Sequence, residues 1–394
     1  MNLLLITNLF PTHFDPERGI FTLQLARRLQ KHCNVTVLCP LPWFPSISLI
    51  QNRKWQQYSQ VSSQYTIEGI RVYSPKYLLI PKISENIHAS LMAKSLSRCI
   101  ASLHKQHAFD VVNSQWLYPD SVAVDKAIHS LKLPHVATGL GSDINRELYQ
   151  AGKTQQIMKM LQASTAITVV SSNLKNELID RKLPADKITV IPNGIDTDKF
   201  HLLEKNECRK TLQLEHDIPV ILYIGRLSTE KSIKTLISAT QKLIKNEYPV
   251  KVYLLGDGPL RIELAEQAKS LEIDKNIVFM GKVDHNEIGT WLGATDYLCL
   301  PSIMEGCPNV ILEALGCGRP VIASRVGAIP DIVTQKSGIL FTPEDVSELS
   351  CSLEKAINTD WSAEEISRSV EKYSWEHAAE HYYNVFDSAI SKKS

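Results

Sequence analysis

Long apolar runs are missing from this chain of 394 residues. A helix that crosses a membrane needs about 20 consecutive apolar residues, and no segment of the sequence offers them. The opening MNLLLITNLF also lacks the basic region that precedes the apolar part of a signal peptide. We therefore expect a cytoplasmic protein without a membrane span.

Closely spaced cysteine pairs are missing as well. No two of the eight cysteines have CxxC spacing, and most lie in apolar runs. Zinc sites depend on such spacings, and disulfide frameworks are typical of short secreted chains. The sequence predicts buried, reduced thiols at Cys33, Cys39, Cys99, Cys208, Cys299, Cys307, Cys317 and Cys351.

A large net charge is also absent, because 43 Lys and Arg balance 42 Asp and Glu. The distribution is uneven. Residues 1–190 hold 21 basic and 12 acidic side chains, a formal charge of +9, whereas residues 191–394 hold 22 and 30, a charge of −8. A basic half suits anionic lipid or a polyanionic acceptor. It is equally consistent with an ordinary solvated basic surface.

The chain does contain a regular alternation of short apolar runs with helical patterns, which is typical of parallel βαβ units. The first series of predicted strands is Leu3–Thr7, Val35–Cys39, Ile70–Tyr73, Val111–Ser114, His135–Thr138, Ile167–Val170 and Ile188–Ile191. The second series is Val220–Ile224, Lys251–Leu255, Ile277–Met280, Tyr297–Leu300 and Pro320–Ala323. Helices predicted between them include Ile20–Lys31, Glu85–His104 and Lys231–Lys245.

Two such series predict two domains, since a single core stops growing at about 250–300 residues. The segment PNGID, residues 192–196, interrupts the pattern. We place one doubly wound Rossmann-like domain at 1–190 and a second at 191–374. A predicted helix in the tail, 375–394, would cross back to the first domain. Ligands of open parallel sheets bind beyond the carboxyl ends of the strands, so we expect the two domains to face a central cleft.

The motif GRLSTEK begins at Gly225, directly after a predicted strand. Arg226 offers a bidentate fork and Lys231 a point charge, and the helix start that follows adds free backbone N–H groups. This combination suits a diphosphate. A surface loop with two cations is the plainer interpretation of the motif by itself.

The motif GDGPLR, residues 256–261, also follows a predicted strand. Gly, Asp and Pro in this order are typical of a turn into a helix. Alone, the motif indicates turn geometry rather than chemistry.

The segment PSIMEGCPNVILEAL, residues 301–315, places carboxylates on both sides of a predicted helix start. Gly306 frees the loop and Pro308 opens the helix, so Glu305 precedes the helix and Glu313 lies inside it. Each carboxylate can accept hydrogen bonds from sugar hydroxyls, although two surface glutamates would explain the spacing alone. The backbone N–H groups placed to meet a phosphate or a hydroxyl are those near Asn309 and Val310.

Together, GRLSTEK, GDGPLR, EGCPNVILEAL and the preceding PNGID resemble glycosyltransferase family 4, a large group of retaining enzymes with the GT-B fold. The resemblance covers nearly the whole chain. The opening ITNLFPTHFDPERGIFTLQLARRL is similar to the family's first strand and acceptor-side loop. The segment NSQWLYPDSVAV is similar to enzymes that build bacterial surface polysaccharides, including teichuronic-acid and exopolysaccharide transferases. This implies a hexosyltransferase that uses a nucleotide-sugar as substrate and needs no cofactor.

The resemblance also implies residue roles. Arg226 and Lys231 would neutralise the departing nucleotide diphosphate, Glu305 would hold the hydroxyls of the donor sugar, and Glu313 would hold those of the ribose. Arg226, Lys231 and Glu305 are thus the implied catalytic residues. The other implied positions are Gly19 beside the donor phosphates, Val283 in the stretch against the base, Gly225, Pro308, Asn309 and Val310 for the donor, and Asp143 on the acceptor side.

Two positions depart from the family pattern. The family has His before the Gly-Ser-Asp stretch of the first domain, where this chain has Leu140, whose side chain cannot bond to a sugar hydroxyl. Ser232 replaces the glycine of the family's EKG, and we expect little effect because Ser is tolerated at helix starts. We interpret the nearby His135 as a core residue of a strand.

No metal site is predicted. Asp196 and Asp198 form the Asp-x-Asp pair that many metal-dependent transferases use, but they lie in a linker where turn and capping residues are typical. Arg226, Lys231 and a helix N-terminus would supply the positive field instead. We expect attack on the face from which the phosphate leaves, with that phosphate as the base and Glu305 as a sugar ligand.

Two rival functions are a GT-B sugar-nucleotide epimerase and a non-catalytic partner that keeps the donor pocket. GRLSTEK and the two glutamates favour a transferase over an epimerase. Leu140 alone favours the non-catalytic partner.

The expected acceptor is a saccharide, which on this branch of the family is often lipid-linked at the cytoplasmic leaflet. Aromatic and basic residues within Leu41–Pro45 and Arg53–Trp55 suit an interface with anionic headgroups. Peripheral, reversible membrane contact is one interpretation. The other makes Trp43 and Trp55 core residues and the acceptor soluble. Nucleic acid is not an expected partner.

Overall fold

The computed structural model describes residues 1–43, 53–79 and 87–392. The chain divides into two compact units, Met1–Pro192 with Trp375–Ser394, and Asn193–Ser374. The first unit therefore ends two residues beyond the expected position and includes the tail helix.

The first unit is built on a mostly parallel sheet. Its strands are β1 (Asn2–Ile6), β2 (Asn34–Leu38), β3 (Leu41–Trp43), β4 (Gln64–Ile67), β5 (Ile70–Tyr73), β6 (Lys76–Leu78), β7 (Val111–Gln115), β8 (His135–Gly139), β9 (Ala166–Val169) and β10 (Ile188–Val190). Eight of them pair in the order β10-β9-β8-β7-β1-β2-β5-β4, with only β4 antiparallel, while β3 and β6 form a separate parallel pair. The chain reverses its direction of winding between β1 and β7, where ligands of such sheets bind.

Helices connect these strands and cover the sheet. They are α1 (Ile20–Leu29), α2 (Arg53–Gln60), α3 (His88–His107), α4 (Val122–Ile128), α5 (Ser142–Asn145), α6 (Thr154–Ala163) and α7 (Ser172–Asp180). The strands at the sheet centre are almost fully buried, as strands covered on both faces must be. β1 is apolar after Asn2, whereas β7 carries the buried polar residues Asn113, Ser114 and Gln115.

The second unit is a six-stranded sheet in which every pair is parallel. Its strands are β11 (Val220–Ile224), β12 (Lys251–Leu255), β13 (Ile277–Gly281), β14 (Tyr297–Leu300), β15 (Val321–Ser324) and β16 (Gly338–Phe341). Its helices are α8 (Lys205–Thr211), α9 (Ile233–Lys245), α10 (Arg261–Ser270), α11 (Ile288–Ala294), α12 (Asn309–Gly316), α13 (Ile329–Ile332), α14 (Val346–Ile357) and α15 (Ala363–Arg368). The order β13-β12-β11-β14-β15-β16 puts the change of winding direction between β11 and β14.

The last helix, α16 (Trp375–Ser391), packs on the first unit. Trp375 and Phe386 on its buried face join a core with Leu25 of α1. At the start of the helix, Nε of Arg28 lies 3.0 Å from Oε1 of Glu376 and forms an ion pair with it.

The twelve predicted strands are all present, with ends shifted by one residue at most. Within the described residues, β3, β4, β6 and β16 are strands that the sequence pattern did not predict. β3 and β6 have three residues each, too few for a periodic pattern to emerge. In β4, Gln64 and Thr66 interrupt the apolar residues, and β16 begins at Gly338, so neither offers an apolar run of four. The helix predicted at Glu85–His104 is present as α3, although residues 85 and 86 lie outside the described part of the chain.

The predictions for His135 and for the cysteines had different outcomes. His135 is buried and bonds to the Ser114 hydroxyl at 2.7 Å, so its interpretation as a core residue is confirmed. All eight cysteines are free thiols, but the prediction that all are buried is wrong for three of them. Cys33 and Cys99 are only partly buried, and Cys351 is exposed on the solvent side of α14. In the described ranges, no helix combines the length and apolarity that crossing a membrane requires.

Candidate functional site

The loops that follow β11 and β14 meet at the point where the second sheet changes its direction of winding. The Lys231 ammonium lies 2.6 Å from Oε1 of Glu305, and the buried Ser302 hydroxyl donates to the same oxygen at 2.6 Å. The backbone N–H of Ile303 also donates to the carbonyl of Glu230 at 2.9 Å. Because β11 and β14 are adjacent and parallel, their carboxyl ends bring these residues together.

Arg226 lies in the same loop as Lys231 but is exposed, so its guanidinium can reach a ligand. Its backbone is held in place, because its carbonyl accepts a hydrogen bond from the buried Tyr223 hydroxyl at 2.9 Å. The loop thus offers two cations, one of them already paired with a carboxylate.

Ser232 shows why the family carries glycine at this position. Its backbone is left-handed, with φ +47°, a conformation that costs a residue with a Cβ about 1–2 kcal/mol. The Ser232 hydroxyl bonds to that of Thr235 at 2.9 Å. The substitution therefore introduces backbone strain, which the expectation from helix-start preference did not include.

The GDGPLR motif supports the GRLSTEK loop. The N–H of Leu227 donates to the carbonyl of Asp257 at 3.0 Å, and the N–H of Leu260 donates to the carbonyl of Leu227 at 3.1 Å. A Cβ on Gly258 would lie 2.2 Å from the Leu227 oxygen. Glycine is required here by the close approach of two backbones, in addition to turn geometry.

The loop after Glu305 leads into α12, whose first residue is Asn309, with Pro308 at the capping position. The Asn193 amide donates to Oδ1 of Asn309 at 2.8 Å and to the carbonyl of Cys307 at 3.4 Å. The PNGID segment therefore fixes the start of α12. The backbone N–H groups of Asn309 and Val310 lie in the open first turn of this helix.

Glu313 lies one helical turn further along α12 and is partly buried. Burial raises the pKa of its carboxyl to about 7, although the nearby Lys199 ammonium lowers it. Within the described ranges, no side chain or backbone N–H donates to this carboxylate. An acceptor left without a donor in a partly buried place is costly unless a ligand supplies one.

Val283 and the Asp pair lie in loops of the same unit. Val283 follows β13 by two residues and is half-buried. The carbonyl of Asp196 accepts the N–H groups of Lys199 and Phe200, so this aspartate begins a turn. No group of three or more His, Cys, Asp or Glu side chains able to hold a metal occurs in the part of the chain that the structure describes.

Gly19 and Asp143 belong to the first unit. Gly19 directly precedes α1 with φ +63°, and a Cβ there would lie 2.0 Å from the Leu9 carbonyl oxygen. This crowding explains the glycine independently of any ligand. Leu140, at the position of the family's His, is partly buried and donates its backbone N–H to Asp143.

Asp143 was expected to contact the acceptor, and the structure corrects this. Its side chain is fully buried, and burial raises its pKa to about 6, against the effect of the backbone bonds that it accepts. The donors are the N–H groups of Leu117, Leu140, Gly141 and Ile144. With both oxygens occupied and no exposed surface, Asp143 holds the loop that leads into α5.

A second buried carboxylate of the first unit was not predicted. Asp120 accepts the backbone N–H of Asn8 at 2.9 Å and its side-chain amide at 3.0 Å. Burial raises its pKa to about 7, although these bonds lower it. The Arg18 guanidinium donates to Asn8 at 3.2 Å and stacks on the Tyr58 ring. These residues lie beyond the ends of β1 and β7, but no sequence spacing connects them.

Three further residues of the second unit contact the predicted site residues and were not themselves predicted: Ser302, Asn193 and Lys199. Ser302 lies in the segment PSIMEGCPNVILEAL and Asn193 in PNGID. A hydroxyl near a carboxylate, or an amide near a predicted helix start, could have indicated their hydrogen bonds. Lys199 had no such context, because its approach to Glu313 depends on folding.

Comparison with known proteins identifies the family of the chain. The family model described as Glycosyl transferases group 1 matches residues 204–373, and the one described as Glycosyltransferase Family 4 matches residues 19–199. A Bacillus subtilis protein named as a putative teichuronic acid biosynthesis glycosyltransferase, TuaC, is 30% identical over 356 residues, which cover 89% of this chain and 87% of that protein. The chain belongs to glycosyltransferase family 4.

Solved structures show the GT-B fold of this glycosyltransferase. A sucrose-phosphate synthase from Thermosynechococcus elongatus superposes with a TM-score of 0.78 at 17% identity, covering 100% of both chains. Anabaena HepE, solved in complex with UDP and glucose, superposes with a TM-score of 0.74 at 17% identity, covering 98% of this chain and 100% of that one. At 17% identity, these superpositions show that the fold is shared.

We predict that Glu313→Gln stabilises this glycosyltransferase in a pH-dependent manner. The pKa of Glu313 lies at about 7 in the folded chain and at its ordinary 4.5 when unfolded. The folded state therefore favours the protonated form, and the carboxyl lowers the free energy of unfolding as the pH rises from 4.5 to 7. A neutral amide lacks this effect, so we expect the variant to gain up to about 3 kcal/mol at pH 8, with a gain that shrinks toward pH 5.

Urea unfolding at a series of pH values measures this gain. Glu266→Gln on the exposed side of α10 is the matched control and should show no such trend. A Glu313→Gln gain that is the same at every pH would contradict the assignment.

Proposed function

We propose that this glycosyltransferase is a retaining enzyme that moves a sugar from a nucleotide-sugar to a saccharide acceptor during the synthesis of a bacterial surface polysaccharide. The observation that carries the proposal is the ion pair of Lys231 and Glu305, with the exposed Arg226 in the same loop, at the change of winding in the second sheet. Similarity to TuaC over most of both chains supports the polysaccharide context.

Arg226 and Lys231 are proposed to bind the diphosphate of the donor. The exposed guanidinium can form two parallel bonds with phosphate oxygens. The Lys231 ammonium rests on Glu305 and can share its charge with a phosphate that arrives beside it. The open first turn of α12 supplies further N–H donors. Anabaena HepE was solved with UDP, so a UDP-sugar is the first donor to test.

The two glutamates are proposed to hold hydroxyls of the donor. Lys231 and Ser302 fix Glu305 through one oxygen, and a carboxylate has lone pairs for several donors, a sugar hydroxyl among them. Glu313 lacks a donor in the described chain, and the ribose hydroxyls would supply one. Val283 would lie against the base, and Gly19 beside the phosphates.

In the proposed reaction, the bond between the sugar's anomeric carbon and the phosphate oxygen breaks while the acceptor oxygen attacks from the same face. The acceptor's proton passes to the departing phosphate. The cations stabilise the negative charge that develops on this phosphate. Glu305 acts as a sugar ligand in this proposal. The hydrogen bonds from Lys231 and Ser302 stabilise the negative charge of its carboxylate and so make the carboxylate a weaker nucleophile.

The charge supplied by Arg226 and Lys231 replaces that of a protein-bound metal in this proposal, and no cofactor is needed. The described residues contain no group of three or more His, Cys, Asp or Glu side chains able to hold a metal, which agrees with this proposal but does not test it.

We propose that the acceptor is lipid-linked and that the enzyme binds it at the cytoplasmic face of the membrane. The first unit would contact the membrane surface peripherally. Trp43 is 43% exposed and its strand partner Leu78 is 38% exposed, so the core interpretation of Trp43 is wrong. An exposed Trp beside an apolar residue on the basic half suits a headgroup interface. Phe44, Pro45 and the side chains of Arg53–Trp55, part of the same expectation, lie outside the described residues.

We predict that Arg226→Ala and Lys231→Ala each weaken the binding of UDP by about 1.5–3 kcal/mol, because each removes a charge-assisted hydrogen bond to phosphate. Isothermal titration calorimetry measures the affinities. Lys234→Ala, which removes an exposed cation paired with Glu263, is the control and should bind UDP normally. Unchanged affinity in both site variants would refute the diphosphate assignment.

We predict that donor turnover continues at its initial rate in excess EDTA, because the side chains supply the positive charge. A coupled assay of nucleoside diphosphate release measures the rate. Loss of activity that Mg²⁺ restores would show that a metal takes part.

We predict that the protein sediments with anionic vesicles at low salt and is released at high salt, because screened charges contribute most of the attraction. Trp43→Ser should weaken this binding severalfold. Ile262→Ser, which removes a 75% exposed apolar side chain from the second unit, is the control. Equally negligible binding to anionic and neutral vesicles at low salt would exclude membrane contact.

A further inference from the structure

A groove runs along the open edge of the second sheet, beside β16. Its volume is about 660 Å³, and it opens to solvent. It shares no lining residue with the candidate donor site. The residues that give it chemical character are Arg325, Lys355, Trp361, Thr334, Gln335 and Thr359.

The charged side chains that line the groove are both basic. Arg325 and Lys355 are exposed cations, and no carboxylate is among the lining residues that the structure describes. Arg325 donates one N–H to the carbonyl of Leu340 at 3.2 Å. Neither cation forms an ion pair within the described ranges, in contrast to Lys231. Two unpaired cations facing one groove favour an anionic ligand.

The aromatic surface of the groove is held in place. The indole N–H of Trp361 donates to the carbonyl of Ala356 at the end of α14, at 3.0 Å. This bond satisfies the polar atom of the ring, so the remaining surface is a flat apolar face. Val333, Ile339 and Leu340 continue the apolar surface. A flat aromatic ring fits the C–H face of a pyranose, whose hydroxyls then point sideways.

Polar side chains supply partners for those hydroxyls. Thr334 and Gln335 are exposed at the groove, and Thr359 lines it next to Lys355. The Gln335 amide can both donate and accept, as sugar hydroxyls require, whereas the Thr359 hydroxyl already donates to the Lys355 carbonyl at 2.7 Å and is left as an acceptor. The volume lies in the range of small-molecule sites, about 300–1,000 Å³, and the open side lets a chain continue beyond the groove.

We propose that this groove is a second binding site that takes an acidic oligosaccharide, with a sugar ring on Trp361 and its carboxylates at Arg325 and Lys355. The site is separate from catalysis. It would keep an acidic polymer bound while the donor site turns over. The assignment does not depend on the donor or the anomeric outcome proposed above.

The test compares three probes by calorimetry in the presence of saturating UDP: tetragalacturonate, maltotetraose and glucose 6-phosphate. The double variant Arg325→Gln/Lys355→Gln removes both groove cations. Lys210→Gln/Lys269→Gln removes the same charge from exposed positions on α8 and α10 and is the matched control. Trp361→Leu removes the aromatic face. Thermal midpoints and UDP affinity report whether each variant is folded.

We expect tetragalacturonate to bind at least tenfold more tightly than maltotetraose, with no competition from UDP. The groove double variant should lose at least tenfold in affinity, while the control should stay within twofold of wild type. Trp361→Leu should lose a similar factor, and if it does not fold, the charge variants decide alone.

Three results would overturn the proposal. Equal loss in both double variants would mean diffuse attraction by the protein's charge. Glucose 6-phosphate binding as tightly as tetragalacturonate would indicate a phosphate site. No binding of tetragalacturonate would leave the groove without this ligand. Each result is distinguishable from failure of the proposed transferase activity, because UDP binding is measured separately.

Discussion

The ion pair between Lys231 and Glu305 holds the candidate site of the second unit together. It joins the loops after β11 and β14, and Ser302 bonds to the same carboxylate oxygen. The Glu305 side chain is only 9% exposed, so removal of Lys231 would leave a poorly solvated charge. The loop of Gly258 packs against Leu227 and fixes the backbone beside Arg226. Opposite charges are therefore held side by side by contacts within the chain itself, as the proposed stabilisation of a leaving group requires.

Three buried or partly buried carboxylates with raised pKa values have different partners, and the difference separates their roles. Asp143 accepts four backbone N–H groups, and Asp120 is held by both nitrogens of Asn8. These two maintain loops of the first unit. Glu313 has a raised pKa and no donor in the described chain. Such a residue costs stability, and sites that bind ligands are where such costs are retained.

The surfaces of the two units are suited to different partners. The first half of the sequence is basic and exposes Trp43 beside Leu78 on a short strand pair, which suits a membrane interface. The second half is acidic overall, yet its β16 edge gathers Arg325 and Lys355 around Trp361. The net negative charge of residues 191–394 therefore coexists with a positively charged groove. The side chains that line the groove, and not the net charge, determine which ligands it favours.

Local patterns were enough to predict twelve strands of the two sheets, because short strands rich in apolar residues repeat with helical segments between them. They were also enough to select Arg226, Lys231, Glu305 and Glu313 as candidates, since motifs that follow a strand carry their own turn chemistry.

The contacts within the site required the folded chain. Ser302 and Lys231 reach Glu305 because β11 and β14, which are separated in sequence by two strands and three helices, become neighbours in the sheet. The bond from the Leu117 N–H to Asp143 and the groove that gathers Arg325 and Trp361 arise in the same way. Both join segments that are distant along the chain, and a pattern that repeats every two or four residues carries no information about such pairs.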